Sequence, residues 1–148
     1  MITNNSMISE NDICKQFRIR GRRVTPQRRA IVRALLEDHA HPTAEQIFAQ
    51  VHREMPDISP ATVYNTLHEL VEMDLLLELD LGLGERRYDL NTADHAHLVC
   101  RACGSVSDVP FDFAEMELPS GHEHGFQIVN RCVTFFGYCP DCAPREED

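Results

Sequence analysis

The chain has 148 residues, of which 43% are hydrophobic, an ordinary composition for one folded domain or two small ones. No apolar run approaches the roughly 18 residues of a membrane span, and Met1–Ser6 lacks the basic start and apolar stretch of a secretion signal. A cytoplasmic location without a membrane partner is expected. The formal net charge of −10 argues against nucleic acid until its distribution is read. Eight of the 14 basic residues fall between Lys15 and Leu36 (Lys15, Arg18, Arg20, Arg22, Arg23, Arg28, Arg29 and Arg33), uninterrupted by Asp or Glu. Such a stripe on an acidic body can meet a phosphate backbone, or it can be a solvated helix face.

Residues 1–12 are polar and expected to be poorly ordered. Thr25-Pro26 then marks a helix start, with Thr25 as N-cap and Pro26 in the first turn. Ala30, Ile31, Ala34 and Leu35 recur at helical spacing, which turns Arg28, Arg29 and Arg33 away from the buried face. His39-Ala40-His41-Pro42 breaks this helix. Thr43-Ala44-Glu45-Gln46 forms a capping box for the next, with Ile47, Val51 and Met55 facing inward. Ser59-Pro60 caps a third helix that buries Val63, Leu67, Leu70 and Val71 and turns Thr62, Tyr64 and Asn65 outward. Three short helices in this order fit a helix-turn-helix. The strand Leu75–Leu79, the turn Gly82-Leu83-Gly84 and the returning strand Arg86–Leu90 add a wing carrying Arg86 and Arg87. Asn91-Thr92-Ala93 reads as a linker. Beyond it the pattern predicts strands over 95–99, 105–109 and 131–138, and a short helix over 111–118 stopped by Pro119-Ser120-Gly121.

Two CxxC pairs, Cys100/Cys103 and Cys139/Cys142, carry the most specific chemistry. Each pair can set two thiolates on one tight turn, and the two together complete a tetrahedral zinc shell with no open position. Such a site is structural and holds together a segment too small to rely on its core. A redox dithiol would instead sit at a helix start in a βαβ unit, which the pattern lacks. Cys14 and Cys132 have no CxxC partner and read as small hydrophobes or incidental thiols.

His95-Ala96-His97 puts two imidazoles on one face of a strand, with Cys100 at the opposite parity. Asp108, on the next strand, can lie beside them. Asp89 ends the wing, and His41 sits in a distant loop. Nitrogen and carboxylate donors without sulfur suit iron, manganese or zinc. The residues alone leave open whether these histidines are ligands, whether His41 is an ordinary loop histidine, and whether Asp108 is a surface carboxylate.

From about Arg20 to Cys142 the sequence resembles the ferric uptake regulator superfamily. The likeness rests on Val24-Thr25-Pro26-Gln27-Arg28, His41-Pro42-Thr43-Ala44, Ala61-Thr62-Val63-Tyr64, Arg87-Tyr88-Asp89, Asp94-His95-Ala96-His97 leading into Cys100 and Cys103, and Tyr138-Cys139-Pro140-Asp141-Cys142. It implies an α+β chain: an N-terminal winged helix-turn-helix domain, then a small α/β dimerisation domain with the four-cysteine zinc site. The expected boundaries are a disordered 1–12, a DNA-binding domain over 13–90, a hinge over 91–94, a dimerisation and metal domain over 95–143, and an acidic tail over 144–148. The resemblance also implies a homodimeric repressor, not an enzyme, that binds palindromic double-stranded DNA when a divalent ion fills a hinge site of His41, Asp89, His95, His97 and Asp108. Asp108 in place of Glu, the pair Tyr64-Asn65, and the lack of a Cys before the HxH pair are most similar to the peroxide-sensing branch. There the ion is Fe(II) or Mn(II), and His41 or His95 is oxidised when iron meets peroxide. The alternative is an iron-uptake regulator without peroxide chemistry. Ala96 and Arg131 stand where the extra metal site of many relatives needs ligands, so that site is not expected. Candidate DNA contacts are Thr62, Tyr64 and Asn65 for bases or phosphates, and Arg20, Arg22, Arg23 and Arg86 for the backbone or minor groove. Tyr64 can instead pack against the wing.

Overall fold

The first helix of the computed structural model begins where the sequence had suggested disorder. The structure describes residues 8–38, 41–114 and 116–144. Helix α1 spans Glu10–Ile19. The Ser9 side chain accepts from the Asp12 N–H, and the Asp12 carboxylate accepts from the Ser9 N–H at 2.9 Å, which satisfies two of the end donors. Ile13, Cys14 and Phe17 form its buried face. Burial of Ile13 and Phe17 anchors a segment that reads as merely polar when scanned from residue 1. Residues 1–7 of the expected disordered stretch, His39-Ala40 of the helix breaker, and residues 145–148 of the expected tail lie outside the described residues.

Helices α2 (Pro26–Glu37), α3 (Ala44–Glu54) and α4 (Pro60–Glu72) start at Thr25, Thr43 and Ser59, and each cap side chain accepts a backbone N–H from the third residue onward. With α1 they enclose one apolar core in which Phe17, Ile31, Val32, Ile47, Val63, Leu67 and Leu70 are fully buried. Burial of this kind stabilises by about 1.5–3 kcal/mol per large aliphatic or aromatic side chain. Strands β1 (Leu77–Asp80) and β2 (Arg86–Asp89) then pair antiparallel, with Leu77 opposite Asp89 and Asp80 opposite Arg86. The turn between them contains Gly82 and Gly84 at φ 70° and 87°, a region that favours glycine. Four helices followed by a two-stranded ribbon make a winged helix, one helix larger than the pattern predicted.

The chain divides into two compact units, Met1–Thr92 and Ala93–Asp148. The second unit is a three-stranded sheet ordered β4-β3-β5, with β3 at His95–Cys100, β4 at Val106–Pro110 and β5 at Val133–Gly137. β3 pairs antiparallel with β4 and parallel with β5. The helix expected over 111–118 does not form among the described residues. Phe113 is buried, but Met116 and Leu118 are exposed, so a helix there would have no apolar face to bury. The long connection to β5 instead turns through Gly121 and Gly125 at φ 85° and 78°. No helix among the described residues is long and apolar enough to cross a membrane.

Candidate metal centres and basic surface

The parallel pairing of β3 and β5 builds the cysteine site. Parallel strands finish at the same end of a sheet, so the turn after Cys100 and the turn after Gly137 emerge side by side. Cys100 lies opposite Gly137, and the Arg101 N–H donates to the Gly137 carbonyl at 2.8 Å. Each CxxC closes on itself: Gly104 N–H donates to the Cys100 carbonyl at 2.9 Å, and Cys142 N–H to the Cys139 carbonyl at 2.9 Å. The sulfur atoms of Cys100, Cys103, Cys139 and Cys142 all lie within 4.8 Å of one another, with Cys103 and Cys139 at 3.8 Å.

The electrostatics of this cluster favour a cation. Backbone N–H groups at Cys103 and Cys139 pull the Cys100 thiol down to about 6, and the Cys139 N–H lies 3.3 Å from its sulfur. Hydrogen bonding to Ser105 lowers Cys103 as well. Cys142 moves the other way, up to about 12, because Cys139 and Cys103 hold it in its protonated form. Protein groups thus favour the first thiolate and resist the last, and a divalent ion is what allows all four to ionise together. Four soft donors in a closed shell fit structural zinc. Cys14 and Cys132 stand apart from the cluster, one buried in α1 and the other exposed with its sulfur 3.7 Å from the Thr134 hydroxyl.

In the first unit, His41 Nε2 lies 3.1 Å from Asp89 Oδ2, with both side chains largely buried. The loop holding His41 is fixed by β2. Tyr88 N–H donates to the Pro42 carbonyl at 3.0 Å, and Arg87 Nη1 donates to the His41 carbonyl at 3.2 Å. His41 itself adopts φ 56°, a left-handed conformation costing about 1–3 kcal/mol for a non-glycine residue. The surrounding hydrogen bonds enforce it. The same strand buries Tyr88, whose phenol is pushed up to about 12, first by burial and then by the Glu78 carboxylate.

In the second unit, alternation along β3 turns His95 and His97 to one face, and pairing with β4 sets Asp108 opposite His97. Asp108 Oδ1 lies 3.3 Å from His95 Nε2 and 3.5 Å from His97 Nε2. His95 Nδ1 sits 2.7 Å from the Ala93 carbonyl, which can only accept, so Nδ1 carries the proton. A neutral His95 then presents an Nε2 lone pair to the Asp108 carboxylate. Two acceptors at this distance need a proton or a cation between them, and a second hydrogen bond of this type is how metal-binding imidazoles are oriented. The nitrogen and oxygen donors of both units fit a divalent ion of intermediate hardness.

The arginine stripe is less bare than the sequence suggests. Glu10 of α1 pairs with Arg29 at 2.8 Å and Arg33 at 3.4 Å, and Glu69 of α4 pairs with Arg22 at 3.0 Å and Arg28 at 2.7 Å. Both carboxylates come from outside the stripe, where a scan of local charge does not look. Arg20 and Arg23 are exposed, as are Tyr64, Asn65 and Arg86, and Thr62 is half-buried with its hydroxyl 2.9 Å from that of Ser59. Tyr64 lines an open cleft with Glu78, Arg86 and Tyr88, so its ring borders the wing as well as solvent. Sequence reasoning missed α1, although Ser9-x-x-Asp12 followed by Ile13 and Phe17 was the available signal. It also missed Glu10 and Glu69, which no local motif marks.

Known proteins resemble this chain over most of its length. The profile of the Ferric uptake regulator family matches residues 19–136. The peroxide-responsive repressor PerR of Staphylococcus aureus is 36% identical over 126 residues, covering 84% of this chain and 85% of that one. Among solved structures, the Campylobacter jejuni peroxide stress regulator aligns with a TM-score of 0.60 at 28% identity, over 89% of this chain and 98% of its own. The Helicobacter pylori ferric uptake regulator aligns with a TM-score of 0.72 at 21% identity, over 94% and 97%, a likeness of fold. The matched span takes in α2 to α4, the wing, all three strands of the second sheet except Gly137, and the Cys100/Cys103 turn, and the chain belongs to the ferric uptake regulator family.

Proposed function

We propose that the chain is a cytoplasmic, homodimeric repressor that binds palindromic double-stranded DNA when a divalent ion fills its regulatory site, and that releases DNA on exposure to peroxide. The observation that carries the reading is the pair of nitrogen and oxygen donor sets. One holds two ligands, His41 and Asp89, and the other three, His95, His97 and Asp108. Each is too small to complete the shell of an iron or manganese ion. An ion taken by both sets at once would tie the DNA-binding domain (13–90) to the dimerisation domain (95–143) across the hinge (91–94). By linkage, the factor by which metal tightens DNA binding equals the factor by which DNA tightens metal binding, typically 5–150-fold.

The remaining residues divide into supporting roles. Cys100, Cys103, Cys139 and Cys142 would hold Zn(II) and keep the second unit folded. The cytoplasm suits them, because these thiols must stay reduced. The exposed Phe126, Ile128, Val129, Phe135 and Tyr138 of the second unit support covering by a second copy, which would set two recognition helices on a two-fold operator. Thr62, Tyr64 and Asn65 would read or position DNA from α4, with Arg86 reaching it from the wing. Arg20, Arg22 and Arg23 would meet phosphates.

The 36% identity to a peroxide-responsive repressor supports the peroxide response, and the nitrogen and oxygen donors suit Fe(II) or Mn(II) as the regulatory ion. Fe(II) held there would activate peroxide, as Mn(II) would not, and the net two electrons would come from an imidazole ring, one peroxide oxygen entering the ring and the other leaving as water. By the family resemblance, His41 or His95 would take up that oxygen atom. Two measurements test the reading. Mn(II) should produce saturable DNA binding that His97→Ala abolishes. Peroxide added to the Fe(II) protein should add one oxygen to a peptide containing His41 or His95 and release DNA. Metal-dependent binding without the oxygen gain would identify an iron-uptake regulator instead. Absence of metal-dependent binding would overturn both.

A further inference from the structure

We propose that Glu69 is a positioning residue for DNA binding, yoking the arginine loop to the recognition helix so that phosphate and base contacts act as one rigid unit. The proposal rests on the repressor reading above. Glu69 lies on α4 four residues after Asn65, so the two share one face of the helix, one turn apart. Its carboxylate is engaged at both oxygens. Oε1 accepts from Arg22 Nη1 at 3.0 Å and Oε2 from Arg28 Nη2 at 2.7 Å. The Glu69 and Arg28 side chains are only 19% and 20% exposed, against 48% for Arg22.

Arg28 extends the connection into the loop. Its other terminal nitrogen, Nη1, donates to the Arg23 carbonyl at 2.5 Å, and its guanidinium lies over the Phe17 ring, 5.1 Å from the centroid. The Arg22 N–H donates to the Phe17 carbonyl at 2.8 Å, and Gly21 N–H to Arg18 at 3.0 Å. Residues 21–23 are therefore held by backbone bonds to α1, by Arg28 at the Arg23 carbonyl, and by Glu69 at the Arg22 side chain. Two exposed arginines, Arg22 and Arg23, ride on that segment, and exposed Arg20 precedes it at the end of α1. Without Glu69 the Arg22 side chain and the Arg28 bracket lose their common anchor, and ordering them becomes a cost of binding. A carboxylate in this place is otherwise a liability, because it repels phosphate.

That repulsion makes the test decisive. Long-range electrostatics alone predicts that Glu69→Ala tightens DNA binding, whereas the positioning role predicts weakening. The zinc-containing full chain, loaded with Mn(II), is titrated by fluorescence anisotropy into a mixed-sequence duplex of about three helical turns over a salt series. The expected result for Glu69→Ala is a log K against log salt slope shallower by about 0.9, the worth of one phosphate contact, and about eightfold weaker binding near 0.1 M salt. Glu69→Gln, with one acceptor oxygen for two arginines, falls between. In an Arg22→Ala background Glu69→Ala adds little further loss, since the two residues act together. Circular dichroism and zinc content stay unchanged, and if Glu69→Ala is unstable, Glu69→Gln carries the test. Equal or tighter binding with an unchanged slope, or fully additive losses in the double variant, overturns the proposal while the repressor reading survives. A wild-type chain that fails to bind DNA with Mn(II) overturns both.

Discussion

Removing the zinc site by Cys142→Ser should unfold the second unit and spare the first. The buried apolar side chains of the second unit, among the described residues, are Ala96, Val99, Cys100 and Phe113. At about 1.5–3 kcal/mol for Val99 and for Phe113, and about 0.8 for the Ala96 methyl, side-chain burial contributes roughly 4–7 kcal/mol. Apparent binding energies of structural zinc sites are about 10–16 kcal/mol, so the ion outweighs the whole apolar core of this unit. The first unit has no such dependence, because its helices share a large core of their own. Hydrogen exchange resolved by peptide should therefore show protection lost across 95–100, 106–110 and 133–137 in Cys142→Ser, and kept across 44–54 and 60–72. Wild-type protein stripped of zinc by chelator should behave alike. If the β3 amides stay protected in a zinc-free chain, the core is stronger than its burial implies and the reasoning is wrong.

Other consequences follow from the first unit. Leu67 is fully buried on the inner face of α4, and Leu67→Ala should destabilise that unit by about 2–5 kcal/mol, measured by urea unfolding. Asn65→Ala should cost about 1–3 kcal/mol of discrimination at one base pair of the operator while dimerisation is unchanged, checked by competition binding with mutated sites. Hydrogen bonding to Arg29 foremost, with Arg33 beside it, holds the Glu10 carboxyl below its ordinary value of 4.5. A carboxyl lowered in the folded state stabilises fully above the unfolded value, and that stabilisation is lost as pH falls through the folded one. Stability should thus drop as pH falls below the ordinary value of 4.5, with a smaller drop in Glu10→Gln, followed by denaturant midpoints on the acid side.

The helix starts were legible because capping is local chemistry. Thr25-Pro26, Thr43-x-x-Gln46 and Ser59-Pro60 each announce a helix within four residues, and each does so in the structure. The paired CxxC turns were legible for the same reason, and alternation along a strand correctly separated His95 and His97 from Cys100. What escaped was long-range. Glu10 and Glu69 neutralise arginines 19 and 41 residues away, and nothing near them in sequence marks a partner. The helix expected over 111–118 failed because its apolar residues have no common surface to cover. Helix α1 escaped although its signal was local, because the capping box Ser9-x-x-Asp12 and the apolar Ile13 and Phe17 stand within a polar-looking start of the chain.

The wing and the His41 loop share a backbone. Arg87 and Tyr88 tether residues 41 and 42, and the next residue, Asp89, meets the His41 ring. Within the wing, therefore, and under the repressor reading, the tip over 82–85, beyond the buried Leu81, is the part that can diverge in length and charge, and hence in the DNA it favours, without touching the His41 loop. A substitution along 87–89 alters both at once. Grafting a foreign wing tip onto this chain should transfer operator preference with metal response intact, and a graft extended through Asp89 should damage both together.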